Sequence, residues 1–201
     1  MFKEKFIVPP SAYIVLLIHF FILMIALLLF VPDSLGTLGV LFLFVSILMF
    51  KGYFVISVNE AYSFTLFGKY QSSGRKEGFY WINPFFTKWK ISLKMQTSKA
   101  KKEVIREQNG KKVTVLAIVT WKVASPVKAI FEVENLADFV TMQVDATLTD
   151  LSATILHDII NNKSEKAFVP DKSIVLHQMF QKRLKSKLEK IGVVILDVEV
   201  G

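Results

Sequence analysis

Cysteine is absent from all 201 residues. Disulfide frameworks, thiol nucleophiles, Cys-ligated zinc and iron–sulfur clusters are therefore excluded. Histidine is scarce, and His19, His157 and His177 do not form a ligand set. His157 stands beside Asp158 at an expected helix end, where it serves the helix dipole better than a metal. No G-x-S-x-G, Walker loop, H-E-x-x-H or EF-hand spacing occurs. Gly68, Gly74 and Gly78 do not open a helix, so a phosphate cradle is unsupported. Nothing points to a serine–lysine pairing. The sequence indicates no enzyme, and assigns no catalytic, cofactor-binding or metal-ligating residue and no cofactor.

Charge is nearly missing from the first fifty residues, where only Lys3, Glu4, Lys5 and Asp33 carry it. The whole net charge of +8 therefore lies in residues 51–201. Ala12 to Val31 holds no formal charge, and as a helix it would span about 30 Å, the thickness of a bilayer's hydrocarbon core. A signal peptide fits less well, because the run is too long and only Val31-Pro32-Asp33 follows it. A second apolar run, Leu35 to Phe50, ends at Lys51 and as a helix would reach about 24 Å. The short link Pro32-Asp33-Ser34 makes the two helices antiparallel neighbours. The expectation is a membrane hairpin over residues 1–51, helices 12–31 and 35–50, that crosses the bilayer; a re-entrant hairpin is the alternative. Lys3, Lys5 and Lys51 flank it, which places both ends in the cytoplasm of a cell with this multi-pass protein in its inner membrane. His19 is expected to be a neutral imidazole bonded to the partner helix.

From Gly52 to residue 201 the pattern is that of a water-facing domain. Tyr53–Val58 and Ala61–Phe67 read as strands broken at Asn59-Glu60. Gly68–Gly78 reads as a loop. In the aromatic run Phe79–Phe86, Pro84 forbids a central strand. Trp89–Thr97 alternates, with Trp89, Ile91, Leu93 and Met95 on one face and Lys88, Lys90, Ser92 and Lys94 on the other. Val104-Ile105, Asn109-Gly110 and Val113–Val123 signal a hairpin. Ser125-Pro126 opens a short helix to Phe131. Asn135 caps a longer one carrying Leu136, Val140, Val144, Leu148, Leu151 and Ile155. Asn161–Pro170 is a polar loop. A third helix begins at Asp171 with His177, Phe180, Leu184, Leu188 and Ile191 in line, and His177 reads as a core or interface residue. Gly192 stops it, and Val193–Val200 closes the domain as a strand. Strands, then helices, then a final strand give an α+β order.

Lysines crowd the stretch from Lys88 to Lys112, interleaved with aromatics, which raises nucleic acid as a partner. Alternation turns Trp89 away from its lysine neighbours, so the ring reads as buried and the lysines as a solvated face. Nucleic acid is therefore not expected, and an anionic leaflet, worth about 1 kcal/mol per lysine, is the better second use.

The ordered segments Asn59-Glu60-Ala61, Phe67-Gly68-Lys69-Tyr70, Gly78-Phe79-Tyr80-Trp81-Ile82-Asn83-Pro84-Phe85, Lys90-Ile91-Ser92-Leu93 and Val119-Thr120-Trp121-Lys122-Val123 resemble the SPFH, or Band 7, domain of stomatins, prohibitins, flotillins and Hfl proteins. Phe131-Glu132-Val133 and Phe139-Val140 continue the match. The twin apolar leader is similar to the bacterial branch with two N-terminal membrane helices. The resemblance implies a non-enzymatic scaffold that binds membrane lipids, self-associates and organises membrane microdomains or membrane protein complexes. It implies as an alternative a regulatory adaptor of a membrane protease. A channel-like assembly of the helix pairs is a third reading, disfavoured because only His19, Ser46, Gly36 and Gly39 offer any polarity. Many relatives continue into a coiled coil that drives ring assembly. The sequence stops at Gly201 in the last expected strand, so a small or loose homo-oligomer is expected unless more sequence follows.

Overall fold

A computed structural model describes residues 4–30, 35–105, 112–161 and 170–200, with side chains for all of these except 103–105, 112–114, 152–161 and 170–176. The chain divides into two compact units, Met1–Ser92 and Leu93–Gly201. The change of composition at Lys51-Gly52 and this division are different boundaries. The apolar helices belong to the same unit as the first five strands.

In the first unit, helices α1 (Ala12–Leu28) and α2 (Gly36–Phe50) precede strands β1 (Tyr53–Ile56), β2 (Glu60–Leu66), β3 (Lys69–Gly74), β4 (Gly78–Trp81) and β5 (Phe86–Ser92). β1 pairs with β4, and β2 lies between β3 and β5, all antiparallel. The expected loop over residues 68–78 is in part a strand. Phe67 and Gly68 both adopt positive φ (47° and 78°), the two-residue turn that sends β2 back into β3. The polarity of Tyr70-Gln71-Ser72-Ser73 misled the reading. Ser63 and Ser73 are buried and bond each other at 3.1 Å, with the Tyr70 hydroxyl 3.0 Å from Ser73 Oγ. Hydroxyls that satisfy one another across strands are compatible with a core. Pro84 falls in the turn between β4 and β5, outside both strands.

The expected strand over 89–97 is likewise two strands. β5 stops at Ser92, and β6 (Gln96–Ile105) starts a new ladder in the second unit. There β6 pairs with β7 (Lys112–Val123), and β7 with β8 (Val193–Val200). The Asn109-Gly110 turn lies outside the described residues. Between β7 and β8 come α3 (Pro126–Phe131), α4 (Leu136–Asn161), α5 (Pro170–Leu188) and a 3₁₀ turn, Glu189–Ile191.

Each helix start differs in how it is satisfied. Ser125 precedes Pro126 as expected, but its hydroxyl makes no capping bond. Asn135 does cap α4, its Oδ1 accepting from the Asp138 backbone N–H at 3.3 Å. Val140, Val144, Leu148 and Leu151 on α4 and Phe180, Leu184 and Leu188 on α5 are buried in the lines that their spacing indicated. His177 is half-buried, while the His157 and Ile155 side chains lie outside the described set. α4 packs on β6 and β7, and α5 on α4 and β8. Gly192, at φ 78°, ends the run, because a Cβ there would crowd the Ser125 carbonyl oxygen at 2.7 Å. Antiparallel sheets packed with helices make the fold α+β.

Candidate membrane interface

Among the described residues no group of three His, Asp or Glu could hold a metal. What stands out is a surface. α1 and α2 run antiparallel, with Gly39 close to the Ala26 carbonyl and His19 against Ser46. Of their large apolar side chains, eleven on α1 and nine on α2 are more than a third exposed. Both helices are apolar all round, so packing one against the other covers only a narrow seam. At roughly half burial, each such side chain would gain about 1 kcal/mol on leaving water, on the order of 20 kcal/mol for the pair.

The helices are nonetheless shorter than the runs that encode them. α1 ends at Leu28, not Val31, and Leu29-Phe30 turn. Seventeen and fifteen residues reach about 25 and 22 Å against a hydrocarbon core of about 30 Å. No described helix is long and apolar enough to cross a membrane. The expected crossing by residues 12–31 and 35–50 is corrected accordingly.

The seam holds one polar cluster. His19 Nε2 lies 2.6 Å from Ser46 Oγ, and Nδ1 lies 3.2 Å from the Tyr53 hydroxyl. His19 and Ser46 are buried, and the Phe50 ring meets the imidazole edge-on at 4.5 Å. The imidazole is bonded to the partner helix, as the sequence suggested, and to β1 as well. Burial pushes the Tyr53 phenol above its ordinary range.

Sequence reasoning missed the joint between this hairpin and the sheets. The carbonyls at the end of α2 and just past it accept bonds from β4, from Ile82 beyond it and from β5. Trp81 Nε1 donates to Met49 O at 3.1 Å, Ile82 N to Gly52 O at 3.0 Å, and Lys88 Nζ to Lys51 O at 2.6 Å. A Cβ on Gly52 would overlap the Trp81 indole and the Ile82 carbonyl, so the joint requires glycine there. On the other side, residues 5–11 strap the sheets before entering α1. Ser73 N donates to Lys5 O, Ile7 N to Ser73 O, and Trp81 N to Pro10 O. The hairpin is thus held at both ends. A glycine just past α2 was the one available signal; the Trp81 and Lys88 roles had none.

The lysine face also differs from expectation. Lys88 is half-buried over the Phe54 ring, and desolvation lowers its pKa. Lys90 pairs with Glu60 at 2.8 Å. Trp89 is 47% exposed, its Nε1 donating to Thr65 Oγ1. The Trp89 ring is therefore exposed and Lys88 is turned inward to the Lys51 and Tyr53 carbonyls, against expectation, while Lys90 and Lys94 are exposed as the alternation indicated.

With this geometry in view, the sequence comparison is decisive on family. Residues 54–201 match the SPFH domain / Band 7 family. The chain belongs to that family. Comparison with curated proteins returned no match. SPFH domains are commonly scaffold-like and generally non-enzymatic. The match begins inside β1, so the hairpin and its strap precede the SPFH domain while packing into its first unit.

Proposed function

We propose that this SPFH protein is a membrane-seated scaffold. The apolar hairpin is embedded in the bilayer from one face, and the SPFH domain is held against that face to organise membrane protein complexes or lipids. The single observation that carries this is the all-round apolar exposure of α1 and α2. Lys3, Lys5 and Lys51 set both ends on the cytoplasmic side of the cell membrane by the positive-inside bias. The two-ended attachment supports a fixed stance rather than a loose tether. The reading requires insertion and not crossing, since helices of seventeen and fifteen residues fall short of the hydrocarbon core.

The test is partition of the full chain. It should stay with membranes through high salt and alkaline carbonate, since apolar insertion resists both. Release by salt alone would mean attachment through the lysines and would overturn the reading. Depth is read by single cysteines on the cysteine-free background. Gln71→Cys, on an exposed position, should react with an impermeant maleimide only after lysis. Reaction of Ser34→Cys from outside intact cells would show crossing, and its protection a re-entrant hairpin.

A further inference from the structure

The β6–β7–β8 sheet has one covered face. Ser98, Val119 and Trp121 point into it, with Trp121 Nε1 donating to Ser98 Oγ at 3.0 Å and Thr141 of α4 bonding the same hydroxyl at 3.1 Å. The opposite face is exposed or half-buried at its described positions. Strand alternation puts Lys99 and Lys101 of β6, Leu116 and Ile118 of β7, and Asp197 and Glu199 of β8 on that face. Leu116 is 39% exposed, Ile118 half-buried, and the four charged residues exposed. The ladders align them. Lys99 sits opposite Ile118, and Ile118 opposite Glu199, so one row across the sheet reads positive, apolar, negative. Thr97, Thr120 and Asp197 form the next row.

We infer that this open face binds the same face of a second copy of the chain, about a two-fold axis parallel to the strands. Rotation about that axis places β6 of one copy over β8 of the other at the same height. Lys99 then meets Glu199 of the second copy, while the two Ile118 side chains meet at the centre. A two-fold axis across the strands would stack lysine on lysine, so the charge pattern selects one of the two isologous arrangements. Three strands spaced about 4.8 Å apart over roughly eight residues offer on the order of 400 Å² per copy. A stable interface needs about 800 Å² per partner, so the contact is weak in dilute solution and is populated by confinement to one membrane plane. The inference deepens the scaffold reading and rests on it for that confinement.

The test uses the full chain reconstituted in vesicles of phosphatidylcholine and phosphatidylserine, with flotation monitored separately. The Ile118→Cys variant should be joined to itself by a short bis-maleimide. Lys99→Cys should not self-join, but should join to Glu199→Cys when the two variants are mixed. Lys99→Glu or Glu199→Lys alone should lower dimer yield about tenfold at fixed protein-to-lipid ratio. Mixing these two variants should restore it, as should both changes in one chain, with circular dichroism confirming the fold. An unreactive Ile118→Cys in chains that float, a ladder of higher products through the edge positions, or self-joining of Lys99→Cys would each overturn the inference. If the chain does not float, the membrane reading has failed by itself. Crosslinking in mild detergent at raised protein concentration then decides the inference, where joined Ile118→Cys sustains it and its absence overturns it.

Discussion

The hairpin of α1 and α2 and the layer of α4 on β6–β8 are built with opposite polarity. In the layer, Trp121, Val140, Val144 and Leu148 are hidden while Lys99, Lys101 and Glu199 face outward. In the hairpin, Leu16, Leu17, Phe20 and Phe44 face outward, and the hidden seam keeps His19 and Ser46. On the scaffold reading proposed above, one sequence contains one region folded for water and one for an apolar solvent. The same substitution should act on stability in the first and on partition in the second.

The largest contrast is expected between Trp121→Ala and Leu17→Ala. Trp121 is 1% exposed and its indole N–H is bonded, so its removal should cost about 3–5 kcal/mol in urea unfolding. Leu17 is 58% exposed, so its truncation should leave the urea midpoint nearly unchanged while weakening vesicle partition by about 1 kcal/mol. Equal effects on unfolding would mean that α1 is packed as a water-soluble core helix.

Gly52→Ala comes next, because it attacks the joint between the hairpin and the strands of its own unit. Its Cβ would overlap the Trp81 indole and the Ile82 carbonyl. The backbone must shift, at a cost of about 1–3 kcal/mol, and Trp81 Nε1 should lose Met49 O. Thermal unfolding and the fluorescence of the Trp81 indole read the two consequences separately. An unchanged midpoint would show the joint to be loose.

Within the seam, His19→Leu should destabilise by about 1–2 kcal/mol, since it leaves the buried Ser46 hydroxyl without its partner. Adding Ser46→Ala should recover part of that loss, because an apolar pair needs no bond. Failure of the second change to recover anything would put the effect in lost packing against Phe50.

Legibility in the sequence followed the same division. Periodicity located α4 and α5 within a few residues, because Val140, Val144, Leu148, Phe180 and Leu184 are apolar for the reason that the spacing assumes: one face meets a core. It failed where neighbours replaced water as the partner of polar groups. Ser63 and Ser73 are buried against each other, so β3 looked like a loop. Lys88 is turned inward to the Lys51 carbonyl, so β5 looked like a strand with the opposite face exposed. β8 carries a register shift opposite Thr120 and Trp121, which leaves Val194 and Leu196 exposed and buries Val193 and Val198, a phase that simple alternation does not give. The joint at Gly52 and the strap of residues 5–11 depend on backbone atoms, which a sequence does not display.

The smallest expected effect tests whether the surface of the first unit adds anything to stability. The Lys90 ammonium, 2.8 Å from Glu60, donates to its carboxylate, and this bond is the first cause of holding Glu60 below the ordinary 4.5. The same bond raises Lys90 above 10.5. A carboxylate with a depressed folded pKa contributes stability that is complete above its unfolded value and is lost as pH falls through the folded one. A raised ammonium contributes stability that is complete below its unfolded value and is lost as pH rises through the folded one. The pair should therefore give a plateau between about pH 4.5 and 10.5 with a shallow fall on either side. Lys88 acts in the opposite sense at the alkaline end, since burial lowers its pKa and deprotonation relieves that burial. Glu60→Gln should flatten the acid fall of the thermal midpoint below about pH 4.5. Lys90→Met should flatten both falls. The effect is small because the Lys90 side chain, 52% exposed, leaves the pair screened by solvent. An acid fall of full size in Glu60→Gln would assign it to carboxylates elsewhere and leave the Glu60–Lys90 pair as geometry without stability.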